Sequence, residues 1–384
     1  MIHGRSAGVA LAAATSTAVG YTYASHAPVI PLIAAEFGLD DFESGLMATA
    51  MFLASGLAML VRGDVGDRFP TKAVLTTALV LAIAGNVGQA VAPDYLALLA
   101  ARAVGGVGSA LCILGGLRYV AARYGGERPH FGQGLFGAGF PLGSAVALWV
   151  MPPLAVALGW RGAFGATTLA MCAVLLLWLL APPVASHARR TSILIAGRCA
   201  NCWWTAVQHA AGFGLALAAG TWITVYLLRE FSLPLEASGL LGSVLLVLAV
   251  IARPIGGQLV SGHHLSTLGV MRGAQVAILL GIALLALPDR PLLLAVLGAV
   301  AVGFGGGLPY AAVFNTAAAS LPRSPGAAQS LTALGGLASA LAGAPAMGYA
   351  VQTWGFSAAW LILGAISVAA LGVSFVMRGE EQLG

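Results

Sequence analysis

Arg102 has a charged side chain inside a long apolar segment, which covers residues 95–122. It lies two helical turns after Asp94, which is about 12 Å along a helix. An arginine in the bilayer interior costs about 2.5 to 3.5 kcal/mol on insertion scales, so it is a candidate for function. A buried positive charge attracts anions because the dielectric constant is low. The alternative is that Arg102 binds backbone carbonyls of a neighbouring helix and fixes its packing.

His26 is the candidate for proton coupling. It lies about 15 Å before Glu36 along the first apolar segment, and Tyr23 shares its helix face. Imidazole titrates near neutral pH. The 13 carboxylates instead fall in turns, at termini or at segment edges. If a proton moves with a substrate, we expect His26 to carry it.

The composition identifies the elements that must position these residues. Of 384 residues, 59% are hydrophobic and 8% are charged, which excludes an ordinary soluble domain. A helix needs about 20 apolar residues to cross a bilayer, and the chain offers about twelve such segments. The sequence therefore predicts an all-α polytopic membrane protein with twelve transmembrane helices. The predicted spans are 8–35, 43–62, 73–92, 95–122, 131–157, 163–182, 203–228, 236–258, 267–287, 291–319, 327–351 and 357–377.

The distribution of basic residues predicts the orientation. If the N-terminus is cytoplasmic, only Arg161, Arg229 and Arg290 of the 18 Lys and Arg residues fall outside, and Arg102 falls within a helix. By the positive-inside rule both termini are cytoplasmic. Topology thus accounts for the net charge of +5, and no basic, aromatic-rich soluble segment suggests nucleic-acid binding.

The chain repeats itself at half its length. Glu36-Phe37-Gly38-Leu39 ends the first span, and Glu230-Phe231-Ser232-Leu233 ends the seventh. Gln133-Gly134-Leu135 and Gln329-Ser330-Leu331 open the fifth and eleventh spans in the same way. Six helices return the chain to the same side, so the halves are parallel repeats. We expect six-helix bundles at 1–185 and 203–384, joined by a basic cytoplasmic linker at 186–202.

The turn between the second and third spans reads Gly63-Asp64-Val65-Gly66-Asp67-Arg68-Phe69-Pro70-Thr71-Lys72. It resembles the loop signature of the major facilitator superfamily (MFS), although Pro70 stands where that family usually has glycine. In the family this loop is associated with closing the cytoplasmic side. The resemblance therefore implies a gating role for Gly63, Asp67 and Arg68.

Two further patterns resemble the same family. Arg102 is followed by Gly105, Gly106 and Gly108, as in the family's fourth helix. The fifth span carries Gly134, Gly137, Gly139, Pro141 and Gly143, which resemble the glycine-proline pattern of exporters, interrupted by Phe140 and Ser144. The interruption leaves both import and export open.

The resemblance implies that the first, fourth, seventh and tenth helices line a path for substrate. Their polar and aromatic residues are then the candidates for substrate binding or coupling, and the glycines before Pro309 predict an irregular tenth helix. The candidates are Tyr23, His26, Arg102, Trp222, Tyr226, Tyr310 and Asn315.

These features predict a secondary active or facilitative transporter that works by alternating access and moves a small organic or inorganic anion. One alternative is a proton-coupled exporter of amphipathic compounds or drugs. Another is a membrane receptor or sensor, which would usually carry a soluble output domain. We expect one small-molecule substrate and a monomer in the cytoplasmic (inner) membrane.

We predict no enzymatic activity, metal or cofactor. Cys199 and Cys202 have the spacing of a redox or metal motif, but a second cysteine pair is missing. His263 and His264 lie in a cytoplasmic turn without a carboxylate nearby in the sequence. A surface role is the interpretation that we prefer for this pair.

Overall fold

The computed structural model describes residues 5–62, 69–124, 129–184 and 193–383, and within these ranges the regular structure is entirely helical. The first half contains α1 (Arg5–Ala24), α2 (Ile30–Phe37), α3 (Asp41–Arg62), α4 (Thr71–Ala90), α5 (Tyr95–Tyr124) and α6 (Pro129–Leu179). The second half contains α7 (Ile193–Ala196), α8 (Ala200–His209), α9 (Leu215–Phe231), α10 (Leu235–Ser261), α11 (Thr267–Ala286), α12 (Leu292–Gly307), α13 (Tyr310–Ser320) and α14 (Pro325–Val373).

The helices account for the predicted spans. In the described part of the chain, 9 helical stretches are long and apolar enough to cross a membrane. Two of them, with 44 and 49 residues, are long enough for two crossings. Gly159 (φ 71°) divides the first of these and Gly355 (φ 79°) divides the second. With the first span, which is split between α1 and α2, this arrangement agrees with the twelve spans expected of an all-α, multi-pass membrane protein.

The first span is broken, although its apolar run predicts one continuous helix over 8–35. Helix α1 ends at Ala24, a 3-10 turn covers Ala27–Val29, and α2 begins at Ile30. Pro28 and Pro31 explain the break, because each lacks a backbone N–H and disfavours helical geometry at the preceding residue. Non-helical backbone is tolerated inside a membrane only where protein or water surrounds it. His26, at the break, is fully buried.

The seventh and tenth spans are also irregular. A π-helical turn at Ala210–Gly214 separates α8 from α9. In the tenth span α12 ends at Gly307 and α13 begins at Tyr310 after Pro309. The irregularity predicted from the glycines and Pro309 is therefore confirmed.

The chain forms two compact units. The first comprises Met1–Leu39 and Leu46–Arg190, and the second comprises Asp40–Gly45 and Thr191–Gly384. In the first unit α1 crosses α6 so closely that a Cβ on Gly143 would lie 2.0 Å from the carbonyl oxygen of Thr17. Ser144 donates a hydrogen bond to the Gly20 carbonyl at the same crossing, at 2.9 Å. The interrupted pattern of the fifth span thus packs that span against the first.

Close helix packing also organises the second unit. A Cβ on Gly303 would lie 2.0 Å from the carbonyl oxygen of Leu245, and a Cβ on Gly307 would lie 2.0 Å from that of Ala249. Small residues of this kind allow membrane helices to approach each other closely. The glycines before Pro309 therefore hold α12 against α10.

The repeated Glu-Phe-Gly/Ser-Leu segment ends a helix in each unit in the same backbone conformation. Gly38 follows α2 with φ 67°, and Ser232 follows α9 with φ 50°. Glycine adopts this left-handed conformation without steric cost, whereas a residue with a Cβ is strained by roughly 1–2 kcal/mol. Ser232 therefore stores strain that its counterpart in the first unit avoids.

The substitution Ser232→Gly should stabilise the protein. Relief of strain outweighs the greater freedom of glycine in the unfolded chain, so we expect a net gain of about 0.5 to 1 kcal/mol. The measurement is the thermal midpoint of the detergent-solubilised protein, followed by tryptophan fluorescence. Gly38→Ser is the matched variant and should lower the midpoint. If both substitutions shifted it in the same direction, backbone strain would not be the cause.

Candidate functional site

Arg102 is buried in the first unit and donates hydrogen bonds to three backbone carbonyls. Its side chain on α5 is 1% exposed. Nε donates to the carbonyl of Met47 at 2.9 Å, Nη1 to that of Thr22 at 2.6 Å, and Nη2 to that of Tyr23 at 3.3 Å. The guanidinium thus joins α5 to α3 and to the last turn of α1.

The break in the first span explains why Arg102 binds there. The last carbonyls of a helix lack partners within the helix, and they carry the negative end of the helix dipole. Thr22 and Tyr23 belong to the last turn of α1, which ends at Ala24. A cation at such an end adds about 0.3 to 2 kcal/mol of stability, with the larger values for buried geometries. Arg102 therefore caps the broken helix, which is the packing role that the sequence left as an alternative.

The positive charge of Arg102 is not neutralised by an acidic side chain. None of the carboxylates in the described ranges forms an ion pair or hydrogen bond with it. Carbonyl dipoles stabilise a guanidinium without cancelling its net charge. The interior of the first unit thus keeps a fixed positive charge beside the break.

His26 lies at the break itself, a few residues after the carbonyls that Arg102 binds. It is 0% exposed, and neither ring nitrogen has a hydrogen-bond partner among the described residues. A buried polar group without a partner costs about 1–3 kcal/mol and calls for an explanation. The structure therefore brings together Arg102, His26 and the backbone of Tyr23.

The Tyr23 side chain packs among neighbouring residues of the first unit. Its hydroxyl lies 2.5 Å from the Ser109 hydroxyl. Its ring lies 5.2 Å from the Phe52 ring and 5.6 Å from the Phe140 ring, measured between centroids. The Tyr23 phenol is thus already bonded within the unit.

Trp222 and Tyr226 are hydrogen-bonded within the second unit. The Trp222 indole donates to the Ala344 carbonyl at 2.9 Å, and the Tyr226 hydroxyl donates to the Leu285 carbonyl at 3.1 Å. Both side chains are buried. They contribute to helix packing, and their assignment to substrate binding stays a prediction.

Tyr310 belongs to an aromatic cluster that the sequence did not predict. Its ring lies 4.9 Å from the Phe314 ring and 6.1 Å from the His209 ring, and the His209 ring stacks on Phe213 at 5.1 Å. The Arg253 guanidinium lies 4.2 Å from the Tyr310 ring centroid. Spacing of four residues, from 209 to 213 and from 310 to 314, is the sequence signal that could have indicated it. Asn315 is exposed and lies outside the cluster.

The remaining predictions concern the gating loop, the cysteine pair and metal binding. Gly63, Asp67 and Arg68, predicted to gate the cytoplasmic side, lie outside the described residues. Cys199 donates from its thiol to the Ser320 carbonyl at 3.7 Å. Across the residues that the structure describes, no group of three or more His, Cys, Asp and Glu side chains could hold a metal ion.

Solved structures with the same fold include a bacterial homolog of the human lysosomal transporter Spinster. In its inward-facing, unoccupied conformation that protein matches with a TM-score of 0.79 and 16% sequence identity, over 98% of this chain and 97% of the other. In the inward-facing, occupied conformation the TM-score is 0.74. At this identity the likeness establishes the fold alone.

Curated relatives match over part of their length. A probable nitrate/nitrite antiporter of Thermus thermophilus, NarK1, is 27% identical over 58% of this chain and 54% of its own. A probable nitrate transporter of Staphylococcus epidermidis, NarT, is 23% identical over 65% of this chain and 64% of its own. The inner membrane transport protein YnfM of Escherichia coli is 26% identical over 43% of this chain and 40% of its own. The chain thus spans between about two fifths and two thirds of the relatives that it matches.

A family model covers most of the chain. The model of the Major Facilitator Superfamily matches residues 11–339, which include the break in the first span, Arg102 and the repeated segments at 36–39, 133–135, 230–233 and 329–331. Its match agrees with the helical architecture and with the solved structures of the same fold. The chain belongs to the Major Facilitator Superfamily of membrane transporters.

Proposed function

We propose that this protein is a secondary active or facilitative transporter that works by alternating access and moves a small anion. The observation that carries the proposal is the buried charge of Arg102, which has no acidic partner among the described residues. An uncompensated cation in a low-dielectric interior favours anions and repels cations. A carrier of cationic drugs would be expected to place a carboxylate there instead.

The names of the relatives narrow the class of anion. Two of them are described as transporting nitrate, and one of these also nitrite. Both ions are small and monovalent, so one fixed arginine charge is enough to balance them. Nitrate and nitrite are therefore the first substrates to test, and small carboxylates follow.

We infer that His26 couples transport to protons if coupling exists. It lies at the interruption of the first helix, and such interruptions are where transporters of several folds place their substrate and ion sites. No described residue is bonded to either ring nitrogen, so the unprotonated nitrogen can accept a proton and an N–H can donate to an anion. A protonated imidazole would add a second positive charge beside Arg102.

The remaining assignments belong to the same proposal. We place both termini in the cytoplasm, the protein in the inner membrane as a monomer, and the bundles at 1–185 and 203–384 with a linker at 186–202. Gly63, Asp67 and Arg68 would close the cytoplasmic side. Export of amphipathic compounds is the competing function, and transport of a hydrophobic cation would distinguish it from anion transport.

Substitutions at Arg102 separate its charge from its hydrogen bonds. Arg102→Lys keeps the positive charge but loses the planar set of donors, whereas Arg102→Gln keeps two amide donors and loses the charge. We expect nitrite uptake into proteoliposomes to fall at least about tenfold in Arg102→Gln, equivalent to about 1.4 kcal/mol. Arg102→Lys should keep a larger share of the uptake, although its thermal midpoint falls.

Arg198→Ala is the matched control, because it removes an exposed positive charge near the start of α8. Its uptake should equal that of the unmodified protein. The anion proposal fails if Arg102→Gln transports nitrite normally, or if a hydrophobic cation is transported and competes with nitrite for uptake.

A second experiment tests the role assigned to His26. In liposomes loaded with a pH-sensitive dye, nitrite uptake by the unmodified protein should move protons, and His26→Gln should abolish this movement because glutamine does not titrate. Exchange of labelled nitrite across the membrane, which needs no net proton movement, should persist in the variant. His264→Gln is the control, since His264 is exposed. Unchanged proton movement in His26→Gln would assign coupling to another group.

A further inference from the structure

The repeated Glu-Phe pair ends the first span of each unit, and transport chemistry does not account for it. Glu36 and Phe37 end α2, and Glu230 and Phe231 end α9. A carboxylate at the C-terminal end of a helix faces the negative end of the helix dipole, which is unfavourable. A compensating cation is therefore expected in each unit.

In the first unit that cation is Arg161. Its Nη1 donates to Glu36 Oε1, and its Nη2 donates to the Ala92 carbonyl at 2.7 Å. Its guanidinium lies 4.1 Å from the Trp160 ring and 5.6 Å from the Phe37 ring, measured to the centroids. The Trp160 indole donates to the other Glu36 oxygen at 2.7 Å. One arginine thus joins the end of the first span to the end of the third.

In the second unit the cation is Arg290. Its Nη2 donates to Glu230 Oε2 at 2.8 Å, and its Nη1 donates to the Leu287 carbonyl at 2.6 Å. The guanidinium lies 4.8 Å from the Tyr226 ring and 5.6 Å from the Phe231 ring. Leu287 is the first residue after α11, and Ala92 is the second residue after α4. In each unit one guanidinium therefore joins the glutamate, the phenylalanine ring and a carbonyl after the third span, and in the second unit its Nε also donates to the Tyr226 hydroxyl.

The two arginines occupy different places in the repeat. Arg161 comes two residues after Gly159, and the matching position after Gly355 is Ser357. Arg290 follows Pro288-Asp289, and the matching position after Pro93-Asp94 is Tyr95. Duplication alone would have left the arginines at matching positions. The two units instead form a similar set of contacts with arginines at different positions of the repeat.

We propose that each six-helix unit requires an arginine brace at this end, a single guanidinium that joins the repeated glutamate, the repeated phenylalanine and the last carbonyls of the third span. The unit requires a guanidinium beside the repeated glutamate. An arginine at position 161 or 95 can supply it in the first unit, and an arginine at position 290 or 357 can supply it in the second. The brace holds the ends of the first and third spans together when the unit moves as a body. Arginine suits this role because its fork binds a carboxylate and a carbonyl at once while its face packs on aromatic rings.

The brace also argues against Glu36 as a proton carrier. Hydrogen bonds from Arg161 lower the pKa of the Glu36 carboxyl, so it stays ionised at neutral pH. Arg290 is more deeply buried than Arg161, at 4% against 34% side-chain exposure. Since a buried ion pair costs more to break than an exposed one, the second unit should depend more strongly on its brace.

Moving the arginine within a unit tests the proposal. We expect Arg161→Ser to lower the thermal midpoint by a few degrees, and Arg290→Tyr to lower it by more, roughly 5 °C or above. Adding Tyr95→Arg to Arg161→Ser should restore at least half of the loss in the first unit. Adding Ser357→Arg to Arg290→Tyr should do the same in the second unit. The thermal midpoint of each variant is measured on the detergent-solubilised protein.

The control asks whether rescue needs the repeated glutamate. In the background Glu36→Gln with Arg161→Ser, Tyr95→Arg should give no rescue, because the new arginine has no carboxylate to bind. The proposal is overturned if Tyr95→Arg and Ser357→Arg both fail to restore stability, or if they stabilise equally well without the glutamate. If Arg290→Tyr does not fold, the first-unit variants alone decide the outcome. These results do not depend on which substrate is transported.

Discussion

A helix that breaks inside a membrane leaves backbone carbonyls that water cannot reach, and the interior of the first unit is organised around that constraint. Pro28 and Pro31 break the first span, and Arg102 supplies donors to the carbonyls of Thr22 and Tyr23. An unsatisfied buried carbonyl costs about 1–3 kcal/mol, which is comparable to the cost of inserting the arginine. Arg102 thus satisfies the unpaired carbonyls of the broken helix and also supplies the buried positive charge.

The bonding of Arg102 to carbonyls also affects the electrostatics of the candidate site. Because the partners of Arg102 are neutral carbonyls, the site keeps a positive charge next to His26, whose ring nitrogens are unbonded among the described residues. The second unit has no histidine at Gly220, which matches His26, and no arginine at Leu297, which lies eight residues after Asp289 as Arg102 lies eight residues after Asp94. Its irregular spans carry the aromatic cluster around Tyr310 and Arg253. The fold is repeated, whereas the charges and rings inside the two units differ.

The same physical rule operates at the ends of the helices. Arg161 and Arg290 each bind a carboxylate and a carbonyl after the third span. A helix end concentrates unpaired carbonyls, and arginine can bind several groups with one planar fork. Arg102, Arg161 and Arg290 therefore each act at a helix end. The divergence of the two arginine positions shows that contacts can persist while the residues that make them change.

The sequence by itself determined the membrane class, the twelve spans, including the two that share α6 and the two that share α14, and the internal repeat, because span length and hydropathy are local properties. It also contained the prolines that break the first span, but a count of apolar residues does not register missing backbone donors, so the span was predicted as continuous. Only the tertiary structure decided that Arg102 caps that break, that Trp222 and Tyr226 are bonded to neighbouring helices, and that two unmatched arginines form the same brace. These outcomes depend on which distant helix segments meet, and the hydrogen bonds between such segments are set by packing in three dimensions.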